Sequence, residues 1–390
     1  MYPTISDLLK SLLGINIPLP IQTFGFFMAV SFVGAYYATA SEMRRKTAEG
    51  FLKPVSKMVV KNKRITVSEY LFGIGGAAII GFKVLEMILD YQSLVENPQA
   101  FLLSTKGSVA GLILGGIYGG YTVYKDALKV KGKKEEKVLV TVQPVDLMWN
   151  ITAIAGIAGI IGAKLFHNLE YIEDLINDPI DALLSFSGLT FYGGLIVAAV
   201  AVLYYTRKHG IPSLHMIDAA APGLMLAYGI GRLGCHLSGD GDWGIVNTSP
   251  KPSGLSFLPD WAWAYNYPNN VVNEGVLIPG CEGAHCYMLP QAVYPTPLYE
   301  LVMALLLFAF LWNMRKRIII PGVLFCVYLI VNGIERFMIE KIRVNSTYSI
   351  FGYQITQAEL ISSLMVVVGI VGILILVNRK KHELSSKTTH

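Results

Sequence analysis

About nine runs of mostly apolar residues divide this chain. Each is long enough to cross roughly 30 Å of hydrocarbon at about 1.5 Å per helical residue. They predict helices near 20–40, 67–89, 107–124, 145–166, 188–206, 213–236, 297–314, 321–340 and 356–378. Composition points the same way: only 15% of the 390 residues are Asp, Glu, Lys or Arg, against about a quarter in soluble domains. A soluble enzyme, a disordered chain and a disulfide-stapled secreted module are thereby excluded. The runs are continuous rather than alternating, which argues against a β-barrel. The first follows Pro18 and Pro20 without a basic leader, so it reads as a span and not as a cleaved signal. The expectation is an all-α polytopic membrane protein, a single integral membrane domain over 1–390.

Basic residues set its predicted orientation. Residues 41–66 hold eight Lys or Arg and 125–144 hold six. Arg207-Lys208, Arg315-Lys316-Arg317 and Arg379-Lys380-Lys381 follow at alternate boundaries, whereas 239–296 contains only Lys251. Nine spans then place the N-terminus outside and the C-terminus in the cytoplasm, with 239–296 an irregular outer loop. The net charge of +5 is a topology signal and gives no reason to expect nucleic acid; anionic membrane lipid is the compatible partner.

A shift of 81 residues lays Gly75–Gly107 over Gly156–Gly188, matching Ile79-Ile80-Gly81 and Lys83 to Ile160-Ile161-Gly162 and Lys164. Leu102-Leu103-Ser104 likewise falls on Leu183-Leu184-Ser185. The first copy, 67–124, reads as an added, duplicated helical hairpin.

Polar residues collect at the predicted outer ends of spans. The sixth helix finishes Gly231-Arg232-Leu-Gly-Cys235-His236-Leu-Ser238-Gly-Asp240-Gly-Asp242-Trp243-Gly244. An arginine at that depth needs a carboxylate, a watery cavity or an anionic ligand. Snorkelling, with Asp240 or a headgroup as partner, is the plain alternative. The eighth helix ends Glu335-Arg336-Phe-Met-Ile-Glu340-Lys-Ile-Arg343, whose spacing puts Arg336, Glu340 and Arg343 on one helical face. Two arginines held by one carboxylate form a fork suited to phosphate, or else a structural ion network. The seventh helix opens Tyr294-Pro-Thr-Pro297-Leu-Tyr299-Glu300, which capping alone could explain. Tyr192 begins the fifth helix, and Lys164 and His167 close the fourth. No HExxH, CxxC or Ser-His-Asp pattern is present, and the Asp240/Asp242 pair lacks the later Glu of a calcium loop, so no metal is expected. Cys281 and Cys286 lie where a disulfide is permitted, but the closure is short; that bond stays open.

At these residues the chain resembles the prolipoprotein diacylglyceryl transferase family, over roughly 145–378. Arg232-Leu-Gly through Asp-Trp-Gly244 is similar to the family signature, and Gly188-Leu-Thr-Phe-Tyr192-Gly-Gly194, Tyr294–Glu300 and Arg336–Arg343 follow the family order. The resemblance implies transfer of an sn-1,2-diacylglyceryl group from phosphatidylglycerol to the lipobox cysteine of a prolipoprotein signal peptide. A thioether forms and glycerol phosphate leaves. It implies a multi-pass enzyme of the bacterial cytoplasmic (inner) membrane, with its site towards the outer leaflet and no cofactor. Arg232 and Arg336 match family arginines expected at the phosphate, with Glu340 orienting Arg336. Arg343, Gly244, Tyr299, Glu300, Lys164 and His167 are the expected substrate-binding set. The chain departs from the pattern at Tyr192, where the family commonly has a proton-accepting His. His236 and Asp240 are therefore the alternative acceptors. Cys235 replaces an expected Asn, Asp240 an expected Glu within an extended Gly-Asp-Gly-Asp-Trp, and Phe24 an expected Tyr.

Overall fold

The computed structural model describes residues 1–388 apart from 16, 20, 97–100, 102–103, 185–189, 346 and 351–352. Its helices are α1 (Ile5–Leu13), α2 (Thr23–Ala48), α3 (Val67–Leu89), α4 (Tyr91–Glu96), α5 (Val109–Val130), α6 (Met148–Glu170), α7 (Ile172–Asn177), α8 (Pro179–Leu184), α9 (Phe191–Lys208), α10 (Ser213–Ser238), α11 (Thr296–Met314), α12 (Val323–Glu340) and α13 (Gln357–Thr388). Every one of the nine expected positions carries a helix. Five stretches are long and apolar enough to cross a membrane: Thr23–Ala48, Val67–Leu89, Pro144–Glu170, Thr296–Met314 and Gln357–Glu383. Of the others, α10 carries Asp218 and Arg232, and α12 carries Glu335, Arg336 and Glu340. Those charges lower apolarity because they are spent on the protein interior, as shown below.

Three two-stranded antiparallel sheets interrupt the all-helical expectation. They pair β1 (Val55–Lys61) with β2 (Glu136–Val142), β3 (Val276–Leu277) with β4 (Tyr287–Met288), and β5 (Thr347–Ile350) with β6 (Tyr353–Thr356). The expected outer loop is mainly irregular, with two short 3₁₀ turns and the β3–β4 pair. The Cys281–Cys286 disulfide is formed within it, its Cα atoms 5.6 Å apart, inside the usual range.

The chain divides into two compact units, Met1–Ile17, Ile21–Lys53 and Gln143–His390 in one, Pro18–Pro20 and Pro54–Val142 in the other. In the smaller unit, α3 packs on α5 with backbones touching: a Cβ on Gly81 would lie 2.3 Å from the Gly111 carbonyl oxygen. The same device joins α6 to α9 in the larger unit, where a Cβ on Gly162 would lie 2.6 Å from the Gly193 carbonyl oxygen. Only glycine permits so close an approach.

The 81-residue shift relates more than sequence. Asp90 and Tyr171 end their helices at φ/ψ of −117/56° and −115/61°, and α4 and α7 follow at equivalent positions. The N–H groups of the caps of α5 and α9 also bond alike, Ser108 to the Phe82 carbonyl at 3.0 Å and Thr190 to the Ala163 carbonyl at 3.1 Å. In the first copy Lys83 Nζ donates to the carbonyls of Phe101 at 3.0 Å and Lys106 at 2.8 Å. Leu102, Leu103, Ser185, Gly188 and Leu189 of the quoted matches lie outside the described residues.

In the larger unit α10 packs against α2, α11 and α12. One end of this group is fastened by buried carboxylates. Asp218 accepts the N–H groups of Gly322 at 2.8 Å and Phe325 at 2.9 Å, satisfying free donors at the start of α12. Glu42 meets Arg315 Nε at 3.0 Å. The apolar core lies along these helices, around Met225, Ala304, Leu311 and Leu324. Held this way, the opposite ends of α10 and α12 and the start of α11 come together.

Candidate active site

Arg232 lies one and a half turns before the end of α10, which stops where Gly239 adopts φ +68°. Gly241, at φ +97°, turns the chain again, so Asp242 points back at the helix that preceded it. Its carboxylate pairs with Arg232 Nη1 and accepts from Arg343 Nη2 at 2.5 Å. The Asp242 carbonyl accepts from Thr296 Oγ1 at 2.7 Å, tying this loop to the first turn of α11.

One turn further along α11 is Glu300, fully buried. Its carboxylate receives three guanidinium groups: Arg232 Nε at 2.5 Å, Arg343 Nη1 at 3.1 Å and Arg336 Nη1 at 3.4 Å. Arg336 also meets Glu340 at 2.9 Å. Three arginines are thus matched by Asp242, Glu300 and Glu340. Burying so many charges is tolerated only because each is paired. Arg232 and Arg336, from different helices, share one partner, as a common anion site requires.

The predicted helical face is half right. Arg336 and Glu340 do pair along α12, but the helix ends at Glu340, so Arg343 is released from the helical spacing. It turns to Glu300 and Asp242, and Glu340 instead accepts from Asn345 Nδ2 at 2.6 Å. Nor does Asp240 hold Arg232: Asp242 and Glu300 do.

Gly244 is the crossing point. Its N–H donates to the Tyr294 carbonyl at 2.8 Å, and the next N–H, of Ile245, donates to the Ile342 carbonyl at 2.9 Å. Three segments from distant parts of the sequence therefore meet through backbone bonds beside the arginines. A Cβ here would stand 2.4 Å from the Ile342 oxygen and 2.9 Å from Thr296 Cγ2. Gly244→Ala should push the 342–343 segment away and destabilise the protein by about 1–3 kcal/mol. A thermal unfolding midpoint equal to that of the unaltered protein would show the contact to be slack.

The remaining predicted residues divide. Tyr192 is half-buried and within electrostatic reach of Arg336, Glu340 and Arg343. Tyr299 donates its hydroxyl to the Trp263 carbonyl at 3.3 Å, fastening the 239–296 loop beside the site. His236 is buried with Nδ1 3.1 Å from the Tyr267 hydroxyl, and its ring stacks with Trp261 at 6.1 Å. It belongs to the aromatic layer of Trp243, Tyr265 and Tyr267. The His167 ring lies 4.7 Å from that of Tyr171. Among the described residues, no ion pair of the arginine cluster includes Lys164, His167 or His236.

Electrostatics separate the two loop aspartates. Burial works against ionisation of Asp242, but Arg232 and Arg343 outweigh it and hold its carboxyl below the ordinary range. Burial pushes Asp240 the other way, and the negative charge of Asp242 adds to it, so Asp240 takes up a proton more readily than a free carboxylate. Ligand atoms of Cys235, Asp240 and Asp242 lie within 4.8 Å of one another, but both Asp242 oxygens are engaged by guanidinium groups. Asp242 is the cluster member that the sequence reading did not select. Charge accounting could not have found it, since Asp240, Glu300 and Glu340 already balanced the three arginines.

A sequence profile described as prolipoprotein diacylglyceryl transferase matches residues 109–375. Proteins named phosphatidylglycerol–prolipoprotein diacylglyceryl transferase are among the relatives. That of Corynebacterium diphtheriae is 30% identical over 247 residues, covering 62% of this chain and 81% of that protein. That of Corynebacterium glutamicum is 32% identical over 216 residues, 54% of this chain and 64% of the relative. That of Dehalococcoides mccartyi is 29% identical over 227 residues, covering 58% and 75%. The profile spans every residue of the arginine–carboxylate cluster, and with it this chain belongs to the prolipoprotein diacylglyceryl transferase family.

Proposed function

We propose that this protein transfers the sn-1,2-diacylglyceryl group of phosphatidylglycerol to the lipobox cysteine of a prolipoprotein. The observation that carries the reading is the convergence of Arg232, Arg336 and Arg343 on one buried carboxylate, Glu300. Such a preorganised cationic site suits a phosphate headgroup and stabilises the charge that develops as phosphate departs. The cysteine sulfur forms a bond to the glyceryl carbon bearing the phosphate. The carbon–oxygen bond breaks with its electron pair passing to oxygen, and glycerol phosphate leaves.

The resting cluster is already neutralised, so the headgroup enters by exchange. Asp242, with 35% of its side chain exposed, is the carboxylate it displaces; Glu300, with none, stays and holds the fork together. Asp240 accepts the thiol proton, since it lies beside the cluster and, unlike Asp242, is not ion-paired to an arginine among the described residues, and its proton affinity is raised. His236 is occupied by the aromatic layer. Asp240→Asn should therefore slow transfer by about 10²-fold or more, with the protein still folded. Turnover within a few-fold of normal would remove Asp240 from proton transfer.

The helices at all nine expected positions support nine spans in the bacterial inner membrane, with the basic connections in the cytoplasm and the arginine cluster towards the outer leaflet. Helix equivalence under the 81-residue shift supports reading 67–124 as a duplicated hairpin added to a core over 145–378. The deciding experiment is incubation of purified protein with phosphatidylglycerol and a lipobox peptide. A mass gain of one diacylglyceryl unit on cysteine is expected; an unmodified peptide, under conditions in which a relative is active, would refute the assignment.

A further inference from the structure

The β1–β2 ribbon lies outside the reaction site and has an unusual surface. Directly opposed residues of an antiparallel pair share a face, so Met58 and Leu139 stand together, flanked by Val60 and Lys137. Met58 is 56% and Leu139 62% exposed. Val55, Val138 and Val140 are exposed as well. A lone two-stranded ribbon is only marginally stable in water, and this one leaves six apolar side chains exposed, Val60 among them.

Charge surrounds the apolar patch. Residues 57–64 and 125–137 together hold ten Lys or Arg against three Asp or Glu. At the ribbon's end Lys131, Lys133 and Lys134 are exposed and carry no ion pair among the described residues. Only five residues separate Lys61 from α3, and five separate α5 from Glu136. Fully extended, such connectors reach about 20 Å, so the ribbon is tethered close to the ends of both helices. One of these, Val67–Leu89, is apolar enough to cross a membrane and has no buried residue along it.

We propose that the β1–β2 ribbon docks on the anionic headgroup surface of the membrane, with Met58 and Leu139 entering the acyl boundary and the lysines contacting lipid phosphates. Apolar tips flanked by lysines suit an interface of that chemistry. The ribbon presents no exposed aromatic ring for stacking on nucleic-acid bases, and its tethers hold it at headgroup depth. The inference is independent of the transfer reaction.

The test places an environment-sensitive fluorophore on Leu139→Cys in the full chain. Cys235 and Cys326 are buried and Cys281 is bonded to Cys286, which directs labelling to the new thiol. The labelled protein is compared in nanodiscs of phosphatidylcholine and of phosphatidylcholine with phosphatidylserine, an anionic lipid other than the proposed substrate. Emission should shift to the blue only with phosphatidylserine and revert at high salt. Combining Lys131→Glu, Lys133→Glu and Lys134→Glu should reduce the docked-to-free ratio by about a hundredfold or more. Equal emission in both lipids would overturn the proposal. So would a blue shift that survives the triple substitution, which would mean that protein contact covers the ribbon.

Discussion

Glu300→Gln is expected to destabilise the protein by about 3–5 kcal/mol, the range for removing one partner of a buried ion pair. Glu300 is the shared partner of Arg232, Arg336 and Arg343, and water does not reach its side chain. The amide keeps the shape but removes the charge. Three guanidinium groups would then face one another with Asp242 and Glu340 as their remaining ion-pair partners. A lowered unfolding temperature in detergent, partly restored by phosphatidylglycerol or inorganic phosphate, is the expected signature, because an added anion replaces the missing charge. An unaltered unfolding temperature would mean that the arginines do not depend on Glu300 and that the cluster is looser than its distances indicate. Transfer should be lost along with stability, so this variant tests the architecture rather than a chemical step.

Arg232→Lys should separate chemistry from folding. Lysine retains the positive charge for Glu300 and Asp242, so the protein should fold and melt close to normal. It lacks the planar fork with which Arg232 reaches Glu300 through Nε and Asp242 through Nη1. When phosphate replaces Asp242, a point charge on a flexible stem cannot make two aligned bonds as charge builds on the leaving group. Loss of such a preorganised donor costs about 10²–10³-fold in turnover. Single-turnover mass measurement of peptide modification reads that loss directly. Normal turnover would take Arg232 out of the mechanism, whatever its place in the cluster.

Helices were legible because a span is specified locally: a run of apolar residues has no other way to satisfy its backbone in hydrocarbon. The ribbon was not. Its strands are short apolar runs with scattered lysines, lacking a clean period of two, within connections that charge alone had marked as loops. Pairing Val55 with Val142 brings together residues separated by three helices, α3, α4 and α5, a partnership that no local pattern announces. The α12 motif was legible only in part, for a related reason. Periodicity placed Arg343 with Glu340, and the helix ended before the period reached it. Tyr299 and Gly244, selected for substrate, also fasten the 239–296 loop and the backbone crossing.

By itself the sequence determined the membrane class, the helix positions, and the arginines and most of the carboxylates of the buried cluster. Those follow from residue type, spacing and local solvation. The tertiary structure alone decided which charge answers which. Glu300 became the hub, Asp242 the partly exposed partner and His236 part of an aromatic layer, because ion-pair choice depends on distances of a few ångströms between segments far apart in the chain.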